Sequence, residues 1–456
     1  MASVLDSAIF QHMFGTQSMR DVFSDRALVR NYLVVEAALA AAQAKVGVIP
    51  ADAARVICSV ASTLDVDEAR LRADTEIVGY PILPLVRQLA AAAGEAGRYV
   101  HWGATTQDIM DSATVLQVRE ALDLIEGELI QLQQNLSALA QTHRDTPMAG
   151  RTHLQQALPV TFGYKAAVWL SGINRHRERL AQLRPRVLVG SFGGAAGTLA
   201  SLGADGLAVH DALCDELGLG RSPITWHVAR DALAEAVSFL GLVTGSLAKI
   251  ATDIMLMMST EFGEVAEPFV EGRGASSTMP QKRNPISCEL IVANAKAVRQ
   301  KAGLMLDAMA SDFERATGPW HLEWMAIPES FLYAAGACHQ ANFMLAGLYV
   351  DTARMRKNLD MTSGLIVAEA VMMAAAPVIG RQHAHDVVYD ACRVALQEGK
   401  RLADVLERIP EIADALGGKA GIARCCDPAN YLGACGQMVD RVLRAHVDVH
   451  HTRAAA

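Results

Sequence analysis

Seven apolar residues, Val118, Leu122, Ile125, Leu129, Leu132, Leu136 and Leu139, are spaced alternately four and three apart. Such a seam commits a helix of about six turns to a neighbour along its whole length. A second seam runs through Leu233, Val237, Leu240, Thr244, Leu247, Ala251, Ile254 and Met258. Further apolar helical stretches cover about 286–310 and 328–348, and no strand-like alternation repeats anywhere. Ala, Leu and Val dominate while aromatics are few, which favours helix as well. The expectation is an all-α fold built on long helices. Seams of this length call for more partners than one chain supplies, so an oligomeric bundle is expected.

Around that bundle the chain divides, by expectation, into three consecutive parts. Residues 1–110 read as a helical entry domain, opened by Ser24-Asp25 as a helix cap before Ala27 to Leu39. Residues 111–350 hold the long helices. Residues 351–456 carry shorter helices separated by Gly364, Gly380 and Gly417-Gly418. The glycine-rich Gly190-Ser191-Phe192-Gly193-Gly194-Ala195-Ala196-Gly197 lacks a preceding strand and a following Gly-Lys-Ser/Thr, so it reads as a connection and not a phosphate cradle.

Several classes of partner are argued against. A net charge of −8 without a basic block disfavours nucleic acid, though a few local cations can still serve an anionic substrate. The amino terminus has no basic-then-apolar leader, and the apolar Val237–Met258 stretch is interrupted by Lys249 and Asp253. It reads as a bundle helix, and no membrane partner is expected. Eight scattered cysteines without a Cys-x-x-Cys read as free thiols of a reducing cytoplasm. No metal or organic cofactor is expected. His383-x-His385 and His450-His451 read as surface features and not as a metal site.

Chemistry concentrates in four separated polar segments. They are Gly103-Ala104-Thr105-Thr106-Gln107-Asp108, Gly150-Arg151-Thr152-His153-Leu154-Gln155-Gln156-Ala157, the loop Gly272 to Pro285, and Glu314-Arg315-Ala316-Thr317-Gly318-Pro319-Trp320-His321. Each alone has a plain reading: Thr105-Thr106 as a cap, His153 as a structural histidine, Lys282 and Arg315 as solvated charge. The loop is the most specific, because Ser276, Ser277, Lys282 and Asn284 fall within nine residues between two helical supports. Glu289, seven residues after Lys282, is placed to orient an imidazole for acid–base work.

The loop pattern Ser-Ser-x-Met-Pro-x-Lys-x-Asn resembles the signature of the fumarase/aspartase superfamily, and all four segments match it in chain order. The resemblance implies that Ser276, as an oxyanion, exchanges a proton beside a carboxylate. It implies that Lys282 and Asn284 hold the resulting aci-carboxylate, that His153 paired with Glu289 donates a proton or binds substrate, and that Thr105, Thr106, Gln156 and Ser277 bind substrate. A proton beside a carboxylate is weakly acidic, so such a site needs preorganised positive charge and donors. Arg20, Arg230 and Arg315 are candidates for further substrate carboxylates, since arginine binds them bidentately. By the same resemblance four chains form one bundle, and each active site draws on three of them.

Within the superfamily the resemblance is closest to 3-carboxy-cis,cis-muconate cycloisomerases, through stretches such as Ser18–Asp25, Gln155–Gly163, Trp226–Asp231 and Trp320–Trp324. In those bacterial enzymes the position of His153 is often not histidine, whereas here the lyase-like Arg-Thr-His is intact. The reading that follows is an enzyme acting on an N-substituted aspartate such as iminodisuccinate, as an epimerase or C–N lyase. The alternative is a lactonising cycloisomerase, and a silent scaffold is the reading from another class. A mobile lid is expected over Glu261–Gly274.

Overall fold

The computed structural model describes residues 3–453, with side chains described up to residue 445. Four long helices dominate it: α1 (Thr106–Thr142), α2 (Phe162–Val187), α3 (Asp231–Met258) and α4 (Ile286–Ala308), followed by α5 (Pro319–Ala346) of comparable length. The seams explain why. Val118, Leu122, Ile125, Leu129, Leu132 and Leu136 are all fully buried. At the end of α1 the buried line passes from Leu139 to Ala140. A straight helix drifts roughly 20° per heptad, so over three heptads the next residue comes nearer the buried face. In α3 the residues from Leu233 to Ile254 at seam positions are buried likewise, and Thr244 satisfies its hydroxyl on the Leu240 carbonyl at 2.8 Å. The apolar length of α3 that resembles a membrane span is thus used as a core seam.

By compactness the chain falls into two units. One unit comprises Met1–Leu129, His176–Ala248 and Leu290–Gln340, and the other Ile130–Arg175, Lys249–Glu289 and Ala341–Ala456. The boundaries fall inside all five long helices, α1 to α5, because a long helix serves as spine for whatever packs on each part of it. In the first unit a core built on Tyr32, Val35, Leu39, Leu85, Leu89 and Ile109 joins the entry helices to Phe192, Leu213 and Trp320. In the second, Val371, Ala375, Val388, Leu402, Leu406 and Ile412 form a separate small core among the short C-terminal helices.

The helical reading missed one element that matters. Between α1 and α2 the chain forms an antiparallel hairpin, β1 (Pro147–Thr152) and β2 (Gln155–Thr161), with Thr152 opposite Gln155. Its two-residue turn is His153-Leu154, both at positive φ (50° and 63°). That is the backbone a right-twisted hairpin prefers, ordinarily supplied by Asn-Gly or Gly-Gly. Neither histidine nor leucine adopts it cheaply, and strain of this kind collects at functional sites.

Candidate active site

Within the second unit, the loop Gly272 to Pro285 lies between α3 and α4. It is closed at its base where the Asn284 N–H donates to the Gly274 carbonyl at 2.9 Å and Ala275 bridges Arg283. Gly274 sits at φ +70°, and a Cβ there would lie 2.5 Å from the Asn284 oxygen, so only glycine allows the closure. Inside the loop Ser276 is half-buried. Its Oγ accepts the N–H of Met279 at 3.1 Å and, more weakly, that of Thr278 at 3.4 Å. Donors aimed at an oxygen favour its negative form over its neutral one. Lys282 and Ser277 are exposed on the same loop, and Asn284 is half-buried at its exit.

The flanks of this loop are fixed by residues that the sequence did not single out. Glu264 is completely buried and receives both terminal nitrogens of Arg151, at 2.7 and 2.9 Å, with Asn358 Nδ2 at 2.8 Å. Arg151 also lies over the Phe262 ring, 4.4 Å from its centroid. Val265–Ala266 pair with Tyr349–Val350. Glu267, buried too, accepts the first amides of α4 from Ser287 and Cys288 at 3.2 and 2.9 Å, where a carboxylate meets the positive helix end. The expected lid over Glu261–Gly274 is therefore narrowed: residues 264–267 are anchors, and a moving segment has to begin after Glu267.

The hairpin places His153 at its exposed tip. Glu289 is exposed in the first turn of α4, and among the described residues neither side chain hydrogen-bonds to the other. The pairing read from the superfamily is thus not made within one chain. The reason is geometric: a tight turn projects His153 outward, away from its own strands. Gln156, expected to bind substrate, donates Nε2 to the Asn358 carbonyl at 2.9 Å, while its buried Oε1 has no partner among the described residues.

In the first unit Thr105 and Thr106 open α1. The Thr105 N–H donates to Asp108 at 2.9 Å, as in a capping box. Arg315 donates to Thr105 Oγ1 at 3.2 Å and to the Ala195 carbonyl at 2.9 Å. Three of the predicted residues thus come together. Asp108, buried, also accepts the amides of Gly193 and Gly194 at 2.7 and 3.0 Å and lies 2.7 Å from His227 Nε2. It ties the glycine-rich connection to α1, so those amides are committed internally. The Thr-x-x-Asp spacing was the signal that could have found it. His101 pairs with Glu36 at 2.6 Å; burial works against its charge, but Glu36 outweighs that and pushes it up.

Two arginines expected at the substrate are engaged by groups of the chain itself. Arg230 is buried between Asp111 and Glu323, with its Nε on Glu323 at 2.8 Å and Nη1 and Nη2 on Asp111 at 2.7 and 2.9 Å. Four hydrogen bonds to two carboxylates commit this buried guanidinium inside the unit. Arg20 directs both terminal nitrogens to the carbonyls of Leu5 and Gln11, latching the entry segment. His383 does find a carboxylate, Glu411 at 2.7 Å, on an exposed surface. His450-His451 lie outside the described side chains.

A lyase family model matches residues 12–299, and the model of the adenylosuccinate lyase C-terminus matches residues 364–442. The chain belongs to the lyase family of the fumarase/aspartase superfamily. It is 50% identical over 432 residues to trans-aconitate decarboxylase 1 of Mycosarcoma maydis, covering 94% of this chain and 87% of that one. It is 46% identical over 450 residues to the 3-carboxy-cis,cis-muconate cycloisomerase of Pseudomonas aeruginosa, covering 98% of each. Among solved structures, a fumarate lyase from Mesorhizobium sp. BNC1 superposes with a TM-score of 0.90 at 58% identity, covering 94% of this chain and 98% of that one. The chain is an enzyme of the isomerase or lyase type in this superfamily.

Proposed function

We propose that this enzyme moves a proton on the carbon beside a carboxylate of a small polycarboxylate, with Ser276 as the proton-transfer group. The observation that carries this is the Ser276 Oγ held by two backbone N–H groups on a loop that also presents Lys282 and Asn284. The donors stabilise the oxyanion, and the ammonium and carboxamide suit a carboxylate that gains charge as its neighbour loses a proton.

The reading best supported by the comparisons is the lactonising one. Trans-aconitate and 3-carboxymuconate, the compounds named in two full-length relatives, are both unsaturated tricarboxylates. In lactonisation one substrate carboxylate oxygen adds to the far carbon of a conjugated double bond. The electron pair moves to the carbon beside another carboxylate, and the Ser276 hydroxyl returns a proton there. The second reading, an N-substituted aspartate such as iminodisuccinate undergoing epimerisation or C–N elimination, is favoured by His153. The positive-φ turn that carries an exposed His153 supports a role for it as a second acid–base group. Association into a tetramer, with Glu289 and His153 meeting between chains, belongs to the same proposal. So do a cytoplasmic location and substrate contacts from Thr105, Thr106 and Arg315.

The purified enzyme is incubated in deuterium oxide with 3-carboxymuconate in one tube and R,S-iminodisuccinate in another, followed by proton NMR. Rapid loss of 3-carboxymuconate supports the first reading. Deuterium at the alpha carbon with stereoisomer exchange, or release of fumarate and aspartate, supports the second. No change in either tube overturns both.

A further inference from the structure

In the second unit, on the flank of the hairpin, lies a cavity of about 370 Å³ lined by Arg151, Tyr164, Lys165, Trp169, Lys249 and Asp253. None of the loop residues from Ser276 to Asn284 contributes to it. Two of its three cations are matched: Arg151 by Glu264, and Lys249 by Asp253 at 2.5 Å. Lys165, partly buried on the first turns of α2, has no hydrogen bond or ion pair among the described residues. Three cations against two carboxylates leave one positive charge uncompensated, in a chain whose net charge is −8. Burial pushes the Lys165 ammonium below the usual lysine range. Lys249 and Arg151 press the same way, against the pull of Asp253 and Glu264.

An unpaired ammonium beside two other cations is costly to hold without an anion. The positive character also continues. A neighbouring cavity of about 440 Å³ shares Tyr164 and Val168 with the first and is lined by Arg175 and Arg441. Arg175 donates to the Ser171 hydroxyl at 2.8 Å, and neither arginine pairs with a carboxylate among the described residues.

We propose that this groove is an anion site, separate from the catalytic loop, that takes a carboxylate on Lys165 and a further carboxylate toward Arg175 and Arg441. The ligand chemistry is that of a small polycarboxylate. The same groups could come from a free acid or from acidic side chains of a second copy of the chain, and the two sources are separable.

The test uses the full-length enzyme, with tricarballylate as the probe in titration calorimetry and light scattering for the mass. If the ligand is a free acid, the wild type binds tricarballylate in two classes per chain. Lys165→Met then weakens one class roughly tenfold or more, the loss expected of a charge-assisted contact, while Lys165→Arg retains it. If a second copy supplies the carboxylates, Lys165→Met leaves the isotherm unchanged but lowers the mass. A Lys165→Met enzyme that matches the wild type in both isotherm and mass overturns the proposal. Should that variant fail to fold, Arg175→Gln carries the same test.

Discussion

Arg230→Met separates a structural arginine from a substrate arginine. The substitution keeps most of the side-chain volume and removes the guanidinium that bridges Asp111 and Glu323 inside the first unit. Asp111 retains Gln107 Nε2 at 3.0 Å and Trp320 Nε1 at 3.2 Å, whereas Glu323 is left buried without its cation. Breaking a buried pair from one side costs about 3–5 kcal/mol. Because one guanidinium serves two carboxylates here, a loss of about 4 kcal/mol at neutral pH is expected, lowering the melting temperature of this 456-residue chain by roughly 4 °C. The pH dependence has a definite sign. Burial already holds the Glu323 carboxyl above its usual range, and Arg230 is the group that pulls it back. Without Arg230 the folded-state value rises further, so the folded variant takes up a proton before the unfolded chain does. The deficit is therefore largest at neutral pH and shrinks as pH falls through that raised value toward the unfolded value near ~4.3. Thermal melts followed by circular dichroism from pH 8 to pH 5 measure this directly. A variant that melts within about 1 °C of wild type at neutral pH and shows only a raised KM would refute the structural assignment, since ~4 kcal/mol cannot be lost in so small a shift.

Other perturbations bear on the site. Ser276→Ala is expected to reduce kcat by about 10² to 10⁴ while leaving the far-ultraviolet spectrum unchanged; a variant with near-wild-type turnover would remove Ser276 as the proton-transfer group. Gly274→Ala meets both a positive φ and the Asn284 oxygen. It should cost the closed loop at least ~1–2 kcal/mol and lower kcat with little change in melting, and unchanged turnover would show that the closure is not needed. Glu36→Gln should lower the midpoint of the His101 titration by NMR. Since His101 is raised in the folded state, its stabilising contribution is full below ~6.5 and is lost as pH rises through the folded midpoint. An unmoved midpoint would count against the pairing.

The seams were legible without coordinates because burial of a helix face is a local, periodic property. Val118 to Leu136 and Leu233 to Ile254 needed only the period of a helix to be read, and the helical fold follows. The loop from Gly272 to Pro285 was legible for a different reason: its chemistry is contained in one short stretch, and the backbone donors to Ser276 come from residues two and three positions on. Long-range partnerships were not legible. Arg230 and Arg151 are equally basic as letters; one is enclosed by carboxylates 119 and 93 residues away and the other by one 113 residues away. The hairpin escaped as well, since a His-Leu turn at positive φ contradicts the usual turn residues. Sequence alone determined the helical architecture, the superfamily and the loop that carries the serine, because these depend on spacing along the chain. Which charges face a substrate and which hold the protein together was decided only by tertiary structure. A charged side chain takes its role from whatever counter-charge folding brings beside it.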